Sequence, residues 1–271
     1  MPDRPKLNSA NTFCWIELAC KDMPTAKEFY GSLMGWKFRD DRTPEGGVYS
    51  SIKLGDKGLV GGLYEFALPE EPKKKKQPKV PAFWGSYVAT KNITSTTKKA
   101  HDLGATIIAD TMPIGDSGRM SVIQDPAGAL FGIWEPKKLE GFGPDRDTLG
   151  ASGWNELLTL DEDLSVGFYT KLFNWKAKKK KVSAKLSYTY FMMDEKRVAG
   201  MMELNPDLGD LPPHWLVYFN VKNCDKSTHL AMEKGAKILF PPTSFPNVGR
   251  MSVVMDGEGA SFALIQYEPA E

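Results

Sequence analysis

Two carboxylates with chemical reach recur in the same setting. Glu17 lies in WIELA and Glu156 in WNELL, each two positions after a tryptophan, Trp15 and Trp154. Side chains alternate along an extended strand, so each Trp and its Glu share one face. Burying a carboxylate beside an indole is costly unless it finds a partner, and the same desolvation raises its pKa. A carboxylate tuned in this way suits a general base acting on a carbon acid. Arg119 and Arg250, each in the sequence GRMS, are the natural partners to expect, with Ser121 and Ser252 two residues further along the same strand face.

Other chemistries find little support. Of the three histidines, His101 and His229 fall in predicted helices and His214 just before a predicted strand, so no two have metal-ligand spacing. Three cysteines, Cys14, Cys20 and Cys224, form no CxxC pair and are expected as reduced, buried thiols. No G-x-S-x-G elbow, Gly-rich phosphate loop or His-Glu-x-x-His helix is present, which leaves hydrolase, nucleotide and zinc-protease readings unsupported.

The 271 residues carry 35 basic and 34 acidic side chains, so net charge gives no general pull towards nucleic acid or an acidic membrane. Lys73 to Lys76 read as part of an extended Pro-rich linker, and Lys178 to Lys181 as a hairpin tip. Neither run has interleaved aromatics, so nucleic acid is not an expected partner. No stretch approaches the ~18 apolar residues of a membrane span. The sequence therefore predicts a cytoplasmic protein with no membrane partner.

What positions these residues is an internal repeat. GRMSVIQDPAGA from Gly118 returns as GRMSVVMDGEGA from Gly249, identical at eight of twelve positions. The segment from Trp15 aligns with that from Trp154, and FWGSYVATKN from Phe83 with HWLVYFNVKN from His214. Within the first half, alternation predicts a strand at Trp15. Asp22, Pro24 and the Ala26, Phe29, Tyr30, Leu33 stripe predict a capped helix that ends at Gly35, and three strands follow. The same β-α-β-β-β order returns after the linker, so the chain contains four such units. The boundaries expected are 1–138 for the N-terminal domain, with a linker at 69–81, and 152–271 for the C-terminal domain.

Four β-α-β-β-β units, with D-x-x-x-A-x-x-F-Y-x-x-L-x-G-W over Asp22 to Trp36 and a D-P-x-G turn at Asp125, resemble the vicinal oxygen chelate superfamily of glyoxalases, bleomycin-resistance proteins and extradiol dioxygenases, in its tandem glyoxalase-like branch. The fold class this implies is α+β, two tandem domains whose curved sheets surround cavities. Metal-using members place inward-facing ligands on the first and fourth strands of their units. By that resemblance the positions here are Trp15, Gly85, Gly132, Trp154, Leu216 and Ala263. None of these side chains ligates a divalent cation, so neither metal nor other cofactor is expected. Glu65 and Glu203, near the end of a fourth strand, are the remaining metal candidates.

On this reading Trp15 and Trp154 wall the cavities, Glu17 and Glu156 are the candidate catalytic groups, and Tyr87, Tyr218, Arg119, Arg250, Ser121 and Ser252 line the ligand. The expected partner is a small apolar or aromatic organic molecule, bound by a monomer or homodimer, by sequestration or with acid/base chemistry. Two other readings stay open: a metal-dependent lyase or ring-cleaving dioxygenase, and a non-catalytic interaction protein. The Trp-Glu-Arg set itself serves either as structure or as ligand contact.

Overall fold

The computed structural model describes residues 4–44, 46–66, 81–182, 187–204 and 211–268. Lys73 to Lys76 and all but the last residue of the expected 69–81 linker lie outside them. The first half runs β1 (Phe13–Cys20), α1 (Met23–Met34), β2 (Lys37–Arg42), β3 (Val48–Lys53), β4 (Leu59–Glu65), β5 (Phe83–Ala89), α2 (Ile93–Asp102), β6 (Thr106–Ile114), β7 (Gly118–Gln124) and β8 (Leu130–Pro136). The second half repeats it: β9 (Ser152–Thr159), α3 (Glu162–Phe173), β10 (Lys176–Lys181), β11 (Ser187–Met193), β12 (Lys196–Glu203), β13 (His214–Asn220), α4 (Cys224–Glu233), β14 (Lys237–Phe245), β15 (Gly249–Met255) and β16 (Ser261–Tyr267). Each half forms one eight-stranded sheet, in the order β2-β3-β4-β1-β5-β8-β7-β6 and its C-terminal counterpart. Four β-α-β-β-β units are thus joined in pairs through their first strands, β1 to β5 and β9 to β13.

Local chemistry sets the helix ends. Asp22 accepts from the Thr25 amide at the start of α1, and Gly35 ends the helix at φ 71°, a left-handed conformation that glycine adopts without steric cost. The Lys178 to Lys181 run lies in the edge strand β10, paired with β11, rather than in a hairpin tip. Charged edge strands of this kind discourage pairing with other chains.

The helix-bearing faces of the two sheets pack against each other, and the doubled GRMSV-x-x-D segment fastens them. Asp125 Oδ1 accepts from the Ala129 amide within its own turn, while its Oδ2 accepts from Tyr169 Oη of the other half at 2.8 Å. Asp256 does the same with the Ala260 amide and Tyr30 Oη, the latter at 2.9 Å. Each tyrosine also accepts an indole N–H, from Trp84 to Tyr30 and from Trp215 to Tyr169. Both tyrosines are fully buried and meet the Trp84 and Trp215 rings edge to face. The Phe-Tyr of each first helix is therefore a clamp between halves, and the faces opposite the helices point away from each other. Among the described residues no helix is long and apolar enough to cross a membrane.

Candidate functional site

Strand register places Glu17 opposite Gly62 of β4 and Gly85 of β5, and Trp15 opposite Tyr87, which in turn pairs with Gly132. Directly opposed residues point to the same side of a sheet. Trp15, Glu17 and Tyr87 thus meet on the face away from the helices, and Tyr49 and Tyr64 reach the same face from β3 and β4. Glu17 accepts a hydrogen bond at each oxygen, from Tyr49 Oη to Oε1 and from Tyr87 Oη to Oε2, both at 2.7 Å. The Trp15 indole N–H donates to Tyr49 Oη at 3.0 Å.

The second half builds the same tetrad. Trp154 donates to Tyr188 Oη at 3.0 Å, Tyr218 Oη donates to Glu156 at 2.9 Å, and Tyr188 also hydrogen-bonds the carboxylate. Glycines make room for it: a Cβ on Gly62 would collide with Tyr49 Oη, one on Gly200 with Tyr188 Oη, and one on Gly132 with the Tyr87 ring.

Burial pushes both carboxyls above the usual glutamic acid range, and the tyrosine hydrogen bonds only partly oppose it. Desolvation and the adjacent carboxylate hold Tyr49, Tyr87, Tyr188 and Tyr218 well above an ordinary phenol, so each stays a donor at neutral pH. Tyr64, on the same face, is pushed up to about 12, by burial first and Glu17 second. Each tetrad is a carboxyl of raised pKa clasped by two phenols against an indole.

The two cups differ at their floors and covers. Gly85, half-exposed, lies opposite Glu17, and a Cβ there would come no nearer than 3.8 Å to any neighbour. Leu216 takes the corresponding position opposite Glu156 and is buried in an apolar cluster with Trp154, Tyr218, Ala263 and Ile265. Glu17 is accordingly half-buried, whereas Glu156 is only 5% exposed. Phe142, from the segment joining the halves, stacks on Trp15 with ring centroids 6.1 Å apart. Over Trp154 the corresponding cover is the Arg4 guanidinium, 5.6 Å from the ring centroid.

Several sequence expectations meet a different geometry. Arg119 and Arg250 do not partner Glu17 or Glu156. They point to the helix side, where Arg119 forms a bidentate pair with Glu135 and Arg250 with Asp225. Ser121 and Ser252 share that side, the first donating to the Ala109 carbonyl and the second bonded to Thr228 of α4. The reason is parity: on β7 the residues opposite Gly132 and Trp134 are Val122 and Met120, so the arginine and serine between them face the other way. Trp15, Glu17 and Tyr87 come together, as do Trp154, Glu156 and Tyr218. Sequence reasoning missed Tyr49, Tyr64 and Tyr188, although Tyr49 and Tyr188 stand at the matching second positions of β3 and β11.

The metal candidates Glu65 and Glu203 close strands β4 and β12 with odd parity relative to Gly62 and Gly200. Glu65 reaches the Met23 amide at the start of α1, on the helix side, and neither glutamate joins Glu17 or Glu156. His101 and His229 sit on α2 and α4 beside Asp102 and Glu233, and His214 opens β13 against the Pro212 carbonyl. Among the described residues no group of three His, Cys, Asp or Glu converges on a point where an ion could be held. One carboxyl and two phenols per cup, both carboxylate oxygens of Glu17 already engaged, do not fit a divalent cation, which favours several imidazole, thiolate or carboxylate donors.

Comparison with known proteins identifies the family and the fold. Across 100% of both chains the protein is 32% identical to the Mycobacterium tuberculosis protein "Putative glyoxylase CFP32". It is 29% identical to the "Anthracycline biosynthesis protein DauV" of Streptomyces sp. strain C5, over 94% of this chain and 93% of that one. In fold it resembles the 2,3-dioxygenase LapB from Pseudomonas sp. KL28, with a TM-score of 0.63 at 14% identity over 96% of this chain and 95% of that chain. A Mn(II)-bound glyoxalase from Novosphingobium aromaticivorans gives 0.62 at 13% identity, covering 97% and 86%. The model of the Glyoxalase/Bleomycin resistance protein/Dioxygenase superfamily matches residues 12–133 and 155–264, and the chain belongs to that superfamily.

Proposed function

We propose that the N-terminal cup binds a small, uncharged planar organic molecule without a metal, with Glu17 as the group that hydrogen-bonds it and exchanges a proton with it. The observation that carries this reading is the contrast at one position: an indole and three tyrosines surround a high-pKa carboxyl, and the residue opposite it is Gly85 in one half and Leu216 in the other. Flat aromatic walls favour a flat apolar guest, and a few convergent polar groups then fix its orientation. A carboxyl whose pKa is raised by burial is a stronger base than an ordinary, fully solvated carboxylate. Tyr49 and Tyr87 would hold the ionised carboxylate in place during such an exchange, one hydroxyl donating to each oxygen. The relatives named for anthracycline biosynthesis, a chemistry of planar fused rings, support a guest of this shape.

The test is calorimetric titration of 2-naphthol and 2-acetylnaphthalene into protein dialysed against a chelator. Saturable binding that Trp15→Ala abolishes is expected. For the ketone, NMR should show solvent deuterium entering the methyl group, and Glu17→Gln should stop it. Binding that requires added metal would overturn the proposal, as would binding indifferent to Trp15→Ala.

A further inference from the structure

We propose that the C-terminal cup is a second ligand site, selective for a planar organic anion, with the ring lying on Tyr188 and Tyr190 and the oxyanion met by Lys178 and Lys180. The inference extends to this half the reading that the aromatic faces hold ligands, but it stands on residues the first half lacks.

Strand β10 pairs residue for residue with β11, and this places Lys180 opposite Tyr188 and Lys178 opposite Tyr190. These four side chains therefore project to the cup side, while Lys179 turns to the helix side and pairs with Glu162. The tyrosine rings stand 4.8 Å apart and are half-buried, so they offer a partly open aromatic surface. Arg197 lies over Tyr190, 4.4 Å from its centroid, and Arg4 lies over both Trp154 and Tyr267.

Among the described residues, the positive charge around this surface is only partly compensated, with Glu195 acting on both Lys176 and Lys178. Lys176 has Glu195, and Arg4 has a long contact to Asp147 at 3.4 Å. Among the described residues no carboxylate lies within ion-pair distance of Lys178, Lys180 or Arg197. In the first half the strand equivalent to β10 carries Arg39, neutralised by Asp41.

A second observation points the same way. The Arg4 side chain is only 8% exposed, yet its Nε has no hydrogen-bond partner. That guanidinium, lying over Trp154 and Tyr267, adds positive charge to the same sheet face. Leu216 fills the floor of this cup, so the guest must lie shallower than in the first half, at the level of the lysines. Cations beside aromatic faces, only partly compensated, select a flat molecule bearing a carboxylate, sulfate or phosphate.

The experiment compares 2-naphthoate, 2-naphthol and inorganic phosphate by titration, at low salt and in 0.5 M NaCl. Three proteins are used: wild type, Gly85→Leu, which closes the other cup, and the Lys178→Glu/Lys180→Glu double variant, whose changes are on the exposed surface. Naphthoate should bind Gly85→Leu and wild type alike. The lysine variant and high salt should each weaken it about tenfold or more, since both act on rim charge. Phosphate alone should bind at least about tenfold more weakly than naphthoate, lacking the ring contact. Absence of naphthoate binding would overturn the inference, and so would its loss in Gly85→Leu, its indifference to the lysine variant, or phosphate of equal affinity. If naphthoate behaves as expected while naphthol binds nowhere, the N-terminal reading fails and this one stands.

Discussion

Gly85→Leu should close the N-terminal cup without harming the fold. The position lies opposite Glu17 on the same sheet face, and a Cβ there would meet only the Glu17 carbonyl oxygen at 3.8 Å and Tyr87 Cε2 at 3.9 Å, ordinary contact distances. The other half already carries leucine at this place beside an intact Glu-Tyr-Tyr-Trp tetrad. Removing a strand glycine contributes roughly 0.5–1 kcal/mol. Covering the leucine partly against Tyr87 adds about 1 kcal/mol, below the 1.5–3 of full burial. At about 2–4 °C per kcal/mol for a chain of this size, Tm should rise by roughly 3–8 °C. Ligand binding should fall by at least about 100-fold, the equivalent of about 2.7 kcal/mol, because the isobutyl group takes the space of the guest. Differential scanning fluorimetry and titration of 2-naphthol on the same preparation read both effects. Undiminished binding in a folded variant would refute the reasoning, because the guest would then lie elsewhere. A fall in Tm would show that the hollow beside Gly85 has no spare volume.

Tyr169→Phe removes the bond to Asp125 and leaves the Trp215 indole N–H without its acceptor, both in the buried interface between halves. Two orphaned groups there should cost about 2–4 kcal/mol, read as a lower midpoint in urea, and a loss below 0.5 kcal/mol would contradict the clamp. The Glu156 carboxyl has a raised pKa in the folded protein, so the native state holds its proton more tightly than the unfolded chain does. That contribution to stability is complete below the unfolded pKa and is lost as pH rises through the folded one. Glu156→Gln, which never ionises, should therefore gain on wild type between pH 5 and pH 8 in urea melts, and a constant difference would remove the effect. Arg4→Ala should uncover Trp154 and shift its fluorescence to the red, while the same measurement on Trp154→Phe should show no such change on removing Arg4. Chelator dialysis should leave naphthol binding unchanged, with metal analysis of the untreated protein finding less than one ion per chain.

The architecture was legible in local sequence patterns. Alternation at Trp15, the capped stripe from Asp22 to Gly35 and the doubled GRMSV segment are local patterns with fixed periods, and their repetition gives four units wherever the chain is cut. The sequence also settled that Trp15 and Glu17 share a face, because they are neighbours on a single strand. What stands opposite them depends on how the strands pair. Whether Arg119 or Val122 faces the cup depends on a register between strands, and a slip of one residue reverses every side chain. The partners of Glu17 come from β3 and β5, distant in sequence, so two tyrosine hydroxyls took the role that charge alone had suggested for an arginine. The purpose of the doubled aspartate was hidden for the same reason: Tyr30 and Tyr169 meet Asp256 and Asp125 only when the halves dock. Periodicity is written along one strand or helix, whereas a site is written across several, and pairing is fixed by the packing of the whole sheet.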